Sequence, residues 1–201
     1  MPLGAHKATL FGAAGVSTGD VVLLGSSTVS DSSGVTFSGL MTSTYGEYIF
    51  KLYNIHADTN TAEFGFQCNA TDTADFDDLL ITSTHFDADH REDGAGGSLQ
   101  YNTGKDQAQG TAFQTITSEN DSTSDSSAAG ELHIFNPAST TYVKHFYSRM
   151  STVTLLGGNA NPLHYDSFCA GYFNDTTAID DIQFKAAAGT FDGTIKMYGV
   201  K

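Results

Sequence analysis

The sequence predicts an all-β protein, an antiparallel two-sheet β-sandwich, on three observations. Apolar and polar residues alternate with period two in one run after another, the spacing of a strand with one face in a core. Composition favours the same class: 14 Phe and 9 Tyr stand among abundant Ser and Thr, with 21 Gly and 3 Pro. Aromatic and β-branched residues suit a pleated surface, whereas helices draw on Glu, Lys, Leu and Gln. Finally, no ten-residue helical pattern lies between the runs, which excludes an alternating α/β fold.

Taken in order, residues 1–44 read as an N-terminal arm or edge segment. The stretch from Ala5 to Gly39 is rich in Gly, Ser, Ala and Val, with one strand at Asp20 to Leu24. Such a segment lies across a neighbouring subunit or forms an edge strand of its own sandwich. Residues 45–201 form the sandwich domain. Tyr48, Phe50 and Leu52 alternate with Ile49, Lys51 and Tyr53, and Phe64, Phe66 and Cys68 repeat the pattern after a polar turn at Asp58 to Thr61, so the two runs read as a hairpin. Further strands are expected at Leu79 to Phe86, Thr111 to Thr117, Glu131 to Phe135, Thr141 to Met150, Val153 to Leu156, Ser167 to Phe173, Ile179 to Phe184 and Thr194 to Val200. Turn residues separate them: Asp93 to Gly97, Asn136 to Ala138, Gly157 to Asn159, Asn161-Pro162 and Asp192-Gly193. The acidic, low-complexity segment Thr117 to Gly130 reads as a mobile surface loop. About ten short strands at this spacing point to a sandwich of jelly-roll type.

Charge narrows the partners. Nine Lys and Arg against 23 Asp and Glu leave a formal net charge of −14, and so few scattered cations cannot neutralise a run of phosphates, so neither nucleic acid nor an anionic membrane surface is expected as a partner. No apolar run approaches the 18 or so residues of a membrane helix, and glycines interrupt the N-terminal stretch before any cleavage pattern, so a soluble chain without a signal peptide is expected. Cys68 and Cys169 sit among apolar residues, where a buried free thiol is the expected state and a single disulfide between them the alternative. Three Asn-X-Thr/Ser triplets, at Asn69, Asn120 and Asn174, are frequent by chance in so polar a chain.

The densest set of ligand-type side chains is His85 to Gly94. Asp87, Asp89 and Asp93 are oxygen donors suited to Ca²⁺, and His85 and His90 are imidazoles suited to a transition metal. The spacing fits neither: counting from Asp87, the fifth and sixth loop positions are Arg91 and Glu92 where a calcium loop needs an oxygen ligand and Gly, and histidines five apart fall on opposite faces of a strand. A solvated loop is expected there, and a solvated turn at Asp72, Asp75, Asp77 and Asp78. Nucleophile-elbow, zinc-protease and phosphate-loop motifs are all missing. Hence no catalytic residue, cofactor or metal is expected, although carboxylates paired in space as in glycosidases would leave no sequence motif. Tyr45, Tyr101, Tyr165 and Tyr172 are candidates for stacking on sugar rings, but most aromatics fall within alternating runs and are expected in the core.

The C-terminal segment Gly171-Tyr-Phe-Asn-Asp-Thr-Thr-Ala-Ile-Asp-Asp-Ile-Gln-Phe184, followed by Ala188-Gly-Thr-Phe-Asp-Gly-Thr-Ile-Lys-Met-Tyr-Gly-Val200, resembles the ending of many tailed-bacteriophage virion proteins. In those, an Asn-Thr, Ala-Ile-Asp, Ile, Phe strand precedes a Gly-rich turn and a terminal Gly-Thr-Ile-x-x-Tyr-Gly strand. The resemblance covers about the last third of the chain and carries no catalytic content. It implies a virion structural protein: first, a capsid decoration or cement protein bound to the major capsid protein or other virion proteins, commonly as a homotrimer; second, a tail-fibre or receptor-binding head recognising host glycans; third, a glycan-degrading virion enzyme.

Overall fold

A computed structural model describes residues 20–73, 75–155 and 162–201. Among the described residues the fold is all-β, with thirteen strands and no helix. They are β1 (Val21–Ser32), β2 (Val35–Phe37), β3 (Glu47–Ala57), β4 (Phe64–Ala70), β5 (Ile81–Arg91), β6 (Gly97–Tyr101), β7 (Ala108–Gly110), β8 (Gln114–Thr115), β9 (Ala128–Phe135), β10 (Lys144–Thr154), β11 (Leu163–Phe173), β12 (Ile179–Ala186) and β13 (Phe191–Val200). Nine strands make a large sheet in the order β1-β13-β3-β9-β10-β11-β5-β6, with β7 also paired to β5. Four make a small sheet in the order β2-β12-β4-β8. Every pairing is antiparallel.

The core fills the space between the small sheet and the β13-β3-β9-β10 part of the large one. Strand β10 shows why the sequence folds this way: Phe146, Ser148, Met150 and Thr152 point inward and His145, Tyr147, Arg149 and Ser151 outward, an unbroken alternation. Phe64, Phe66 and Phe184 of the small sheet meet Phe50, Phe146, Phe173 and Phe191 of the large one. Phe66 stands edge-on to Phe146 at 5.2 Å and Phe64 edge-on to Phe191 at 4.8 Å, the geometry that ring quadrupoles favour. Each such ring removes on the order of 150 to 250 Å² from water, which is how so polar a chain obtains a core.

The expected hairpin of the Tyr48 and Phe64 runs is replaced by a crossing between sheets, and so is the turn expected at Asp192-Gly193. Strands β3 and β4 do not pair with each other: β3 lies between β13 and β9 in the large sheet, and β4 between β12 and β8 in the small one. Likewise β12 lies in the small sheet and β13 in the large one. The Asp192-Gly193 pair lies within β13, at a bulge opposite Asn54 and Ile55. Gly193 has φ +148°, and a Cβ there would stand 2.7 Å from Ile55 Cδ1, so this dipeptide serves a bulge where a turn was expected. Antiparallel alternation does not say whether two apolar faces lie side by side in one sheet or opposite each other across the core.

The described part of the N-terminal segment, from residue 20 onward, is integrated. Strand β1 pairs with β13 along its length as the outer strand of the large sheet, and β2 carries Val35 and Phe37 into the core, where Phe37 lies 5.9 Å from Phe50. Residues 5–19 of the proposed arm, the Gly157 to Asn159 turn and Asn161 lie outside the described residues.

Candidate functional site

Half of the large sheet, β10-β11-β5, extends beyond the small sheet and is roofed by the irregular segment from Asn102 to Ser127. A chain without regular strand partners must find other acceptors and donors for its backbone. The inward faces of β5 and β11 are accordingly polar. Ser83 Oγ accepts from Gln107 N at 2.9 Å and donates to Gln114 Oε1 at 2.7 Å, while Gln114 Nε2 donates to the carbonyls of Lys105 and Thr115. Gln67 reaches the roof from β4, donating to Thr111 O at 3.0 Å.

The expected mobile loop Thr117 to Gly130 belongs to this roof. Thr117, Ser118, Asn120, Asp121 and Ser126 are buried, and Ala128 already begins β9. Two of its side chains turn inward as caps, whereas Ser122, Ser124 and Asp125 stay exposed: Thr117 Oγ1 accepts from Phe64 N at 2.9 Å, and Asp121 accepts from Thr123 N at 2.8 Å and Leu155 N at 3.0 Å. Burial pushes the Asp121 carboxyl up, but these hydrogen bonds outweigh it and hold the carboxyl below its ordinary value. Asn120, within one of the three glycosylation triplets, is buried as well.

The structure disperses the ligand-type cluster at 85–93. His85 and Asp87 point into the interior, His90 outward; Asp89 accepts from Ser98 Oγ, and Asp93 caps Ala95 N at 2.9 Å. Among the described residues no group of three or more His, Cys, Asp or Glu is gathered as a metal would need. Asp87 instead anchors the roof, accepting from Ser167 Oγ at 2.6 Å and Asn102 Nδ2 at 3.2 Å, with the Lys105 ammonium 3.7 Å away. Desolvation works against ionised Asp87, yet these partners hold its carboxyl below the ordinary value. His85 has no such support: it is wholly buried, neither ring nitrogen has a hydrogen-bond partner, and desolvation lowers its pKa to about 4. Its imidazole is therefore neutral near pH 7, and the 3.8 Å approach to Asp87 is not an ion pair there. Above this network lies a small polar pocket of about 270 Å³ reached by Glu63, Glu119 and Tyr165. Both cysteines are free and buried. Burial pushes the Cys169 thiol up to about 12 and the Cys68 thiol far up, which leaves neither as a nucleophile.

A larger cleft, about 880 Å³, opens at one end of the sandwich, where β3 begins, β9 ends and the 38–46, 136–143 and 174–178 connections meet. Its rings are Tyr45, Phe135, Tyr142 and His145. Tyr45 is fixed edge-on to Tyr48 at 5.8 Å and rests on Gly199, where a Cβ would meet its ring at 2.6 Å. Tyr142, 75% exposed, sits on a turn held by Ser139 Oγ, which accepts from the backbone N of Thr141 at 3.2 Å and of Tyr142 at 3.1 Å. Beneath it the buried Lys144 ammonium donates to the carbonyls of Asp175 and Thr177, tying the 174–178 connection to β10. Of the four tyrosines singled out from sequence, Tyr45 lines this cleft, Tyr165 lines the small polar pocket, Tyr172 packs beside His145 at 6.0 Å and Tyr101 lies on edge strand β6. Sequence reasoning missed Tyr142, placed then in a strand; the Asn136-Pro137 turn signal and the Ser139 cap are what mark it as loop.

Against this geometry, no protein-family description, curated protein or solved structure matches the chain.

Proposed function

We propose that the chain is a non-enzymatic structural protein of a tailed-bacteriophage virion, a decoration protein seated on the capsid surface against the major capsid protein. One observation carries the reading. The C-terminal segment that resembles virion proteins forms β12 and β13, and around these two strands the chain nests: β1-β13-β3-β9 in one sheet, β2-β12-β4-β8 in the other. Successive early strands alternate between sheets and pair with successive late ones, which supports a jelly-roll reading, an architecture that recurs in viral capsid and lectin domains.

The outer face of the large sheet supports a docking role. No element among the described residues covers it, and it carries stacked Phe86 and Phe168, Arg149 over Phe168 at 4.9 Å, and Tyr147 on His133 at 4.5 Å. Aromatic and Arg side chains of this kind anchor protein interfaces. Assembly as a trimer would rest on such contacts, because subunits at −14 each repel.

Antibody against the chain, imaged on virions by electron microscopy, tests the reading. Label over the head is expected. Label confined to the tail would instead assign the chain to a fibre or receptor-binding head recognising host glycans, and unlabelled particles would overturn both.

A further inference from the structure

We propose that the end cleft between Tyr45, Phe135, Tyr142 and His145 is a binding site for an uncharged oligosaccharide. The inference goes beyond the place of the chain on a particle and does not require it.

Charge supplies the first argument. In a chain carrying 32 ionisable Asp, Glu, Lys and Arg side chains, none of these residue types lines the cleft. An anionic ligand such as a sulfated or sialylated sugar would find no Lys or Arg beside the His145 imidazole, and a cationic one no carboxylate, so burial of either would be penalised. A neutral ligand escapes both costs.

The second argument is the pairing of ring faces with uncharged hydrogen-bonding groups. A sugar ring has an apolar face of C–H bonds and a rim of hydroxyls. Phe135 and Tyr45 offer half-buried ring surface, and Tyr142 stands 75% exposed at the mouth. The exposed Tyr142 ring offers a face for stacking and adds a hydroxyl at its tip. Around the rings, the side chains of Asn136, Thr141 and Thr176 are solvent-exposed, and no hydrogen bond within the described residues occupies them. These supply donors and acceptors of both kinds for sugar hydroxyls.

Preorganisation is the third. Ordering loops on binding weakens affinity, and these loops are already held: Asn136 N donates to Gly46 O at 2.8 Å, Ile179 N to Pro137 O at 2.9 Å, and Lys144 secures the carbonyls of Asp175 and Thr177 from below. At about 880 Å³ the cleft falls within the roughly 300 to 1,000 Å³ range of small-molecule sites.

The test uses the full chain on an array of neutral, sialylated and sulfated oligosaccharides, followed by titration of the strongest neutral binder. Isothermal titration calorimetry gives the affinity, because only two of the nine tyrosines line the cleft and tyrosine fluorescence would not isolate it. A neutral oligosaccharide is expected to bind with a Kd below about 1 mM. Tyr142→Ala should weaken it at least tenfold and Thr176→Ala by a smaller factor, with circular dichroism unchanged, whereas Tyr101→Ala and Leu99→Ala, exposed on the far edge strand, should leave it intact. The proposal is overturned if no neutral sugar binds, if charged sugars bind better, if Tyr142→Ala and Tyr101→Ala have equal effects, or if Tyr142→Ala dissolves a self-association that had filled the cleft. Virion labelling reads the particle assignment separately, so either result can fail without the other.

Discussion

Acid should destabilise this fold between pH 6.5 and 4 through one residue. His85 is wholly buried without a partner for either ring nitrogen, and its pKa falls from the ordinary 6.5 to about 4 because burial disfavours the imidazolium. In the unfolded chain the same imidazole takes up a proton as the pH drops through 6.5; in the folded chain it does so only near pH 4. Between these values the unfolded state binds more protons, so stability falls as pH falls. At about 1.4 kcal/mol for each pH unit separating the two values, the loss by pH 4 is roughly 3 kcal/mol, a large part of the 5 to 15 kcal/mol typical of a domain. Asp87 acts in a separate window: its lowered pKa contributes stability that is lost only as the pH falls from its ordinary 3.8 downward. The assay is urea unfolding followed by circular dichroism at pH 7, 6, 5 and 4.2, for the native chain and for His85→Leu. The leucine variant removes the titration and two unsatisfied polar atoms, so it should match or exceed the native stability at pH 7 and show a pH slope smaller by about 3 kcal/mol across the window. Identical slopes in the two proteins would refute the reasoning.

Lys144→Met removes the buried ammonium that holds Asp175 O and Thr177 O, and should cost roughly 2 kcal/mol in urea unfolding, with faster hydrogen exchange confined to residues 174–178; unchanged exchange there would show that the lysine does not tie the connection down. Gly171→Ala places a Cβ 2.5 Å from Thr82 O and 2.8 Å from the Phe146 ring, an overpacking expected to cost about 1 to 3 kcal/mol; a native-like thermal midpoint would contradict it. Deleting residues 1–39 removes β1 and β2 and the buried Val35 and Phe37. The truncated chain should lose cooperative unfolding, whereas a folded product that no longer oligomerises would establish the segment as an assembly arm. Cys68 and Cys169 should resist an aromatic disulfide reagent in the native protein and both react in denaturant, since burial raises each thiol far above neutral pH; rapid native labelling would show an exposed thiolate.

Where a strand buries one face against apolar neighbours, its sequence alone identifies it. The alternation of β10 is legible because each inward position meets the core and each outward one meets water. Strand β4 was legible by the same alternation of Phe64, Phe66 and Cys68, but the structure buries the residues between them as well, which that alternation did not indicate. Beyond its first residues β1 was not legible, nor was β6: their Ser- and Gly-rich sequences alternate nothing, and what makes them strands is the open hydrogen-bonding edge of β13 or β5. The polar stretch from Thr117 to Gly130 misled for a related reason. Composition measures affinity for water, but Thr117 and Asp121 turn inward to cap backbone N–H groups, while Ser122, Ser124 and Asp125 stay exposed as expected of a surface loop.

By itself, then, the sequence determined the all-β class, the inward face of strands such as β3 and β10 and the free state expected of two apolar cysteines, all of which depend on local pattern. Only the tertiary structure decided which apolar faces oppose each other across the core, that Asp192-Gly193 is a bulge, that His85 and Asp87 turn inward, and that Tyr45, Phe135, Tyr142 and Thr176 share one cleft. Period-two alternation records that a side chain is buried and carries no information about its neighbours. Those neighbours are set by pairings between strands far apart in sequence, such as β3 with β13 and β5 with β11.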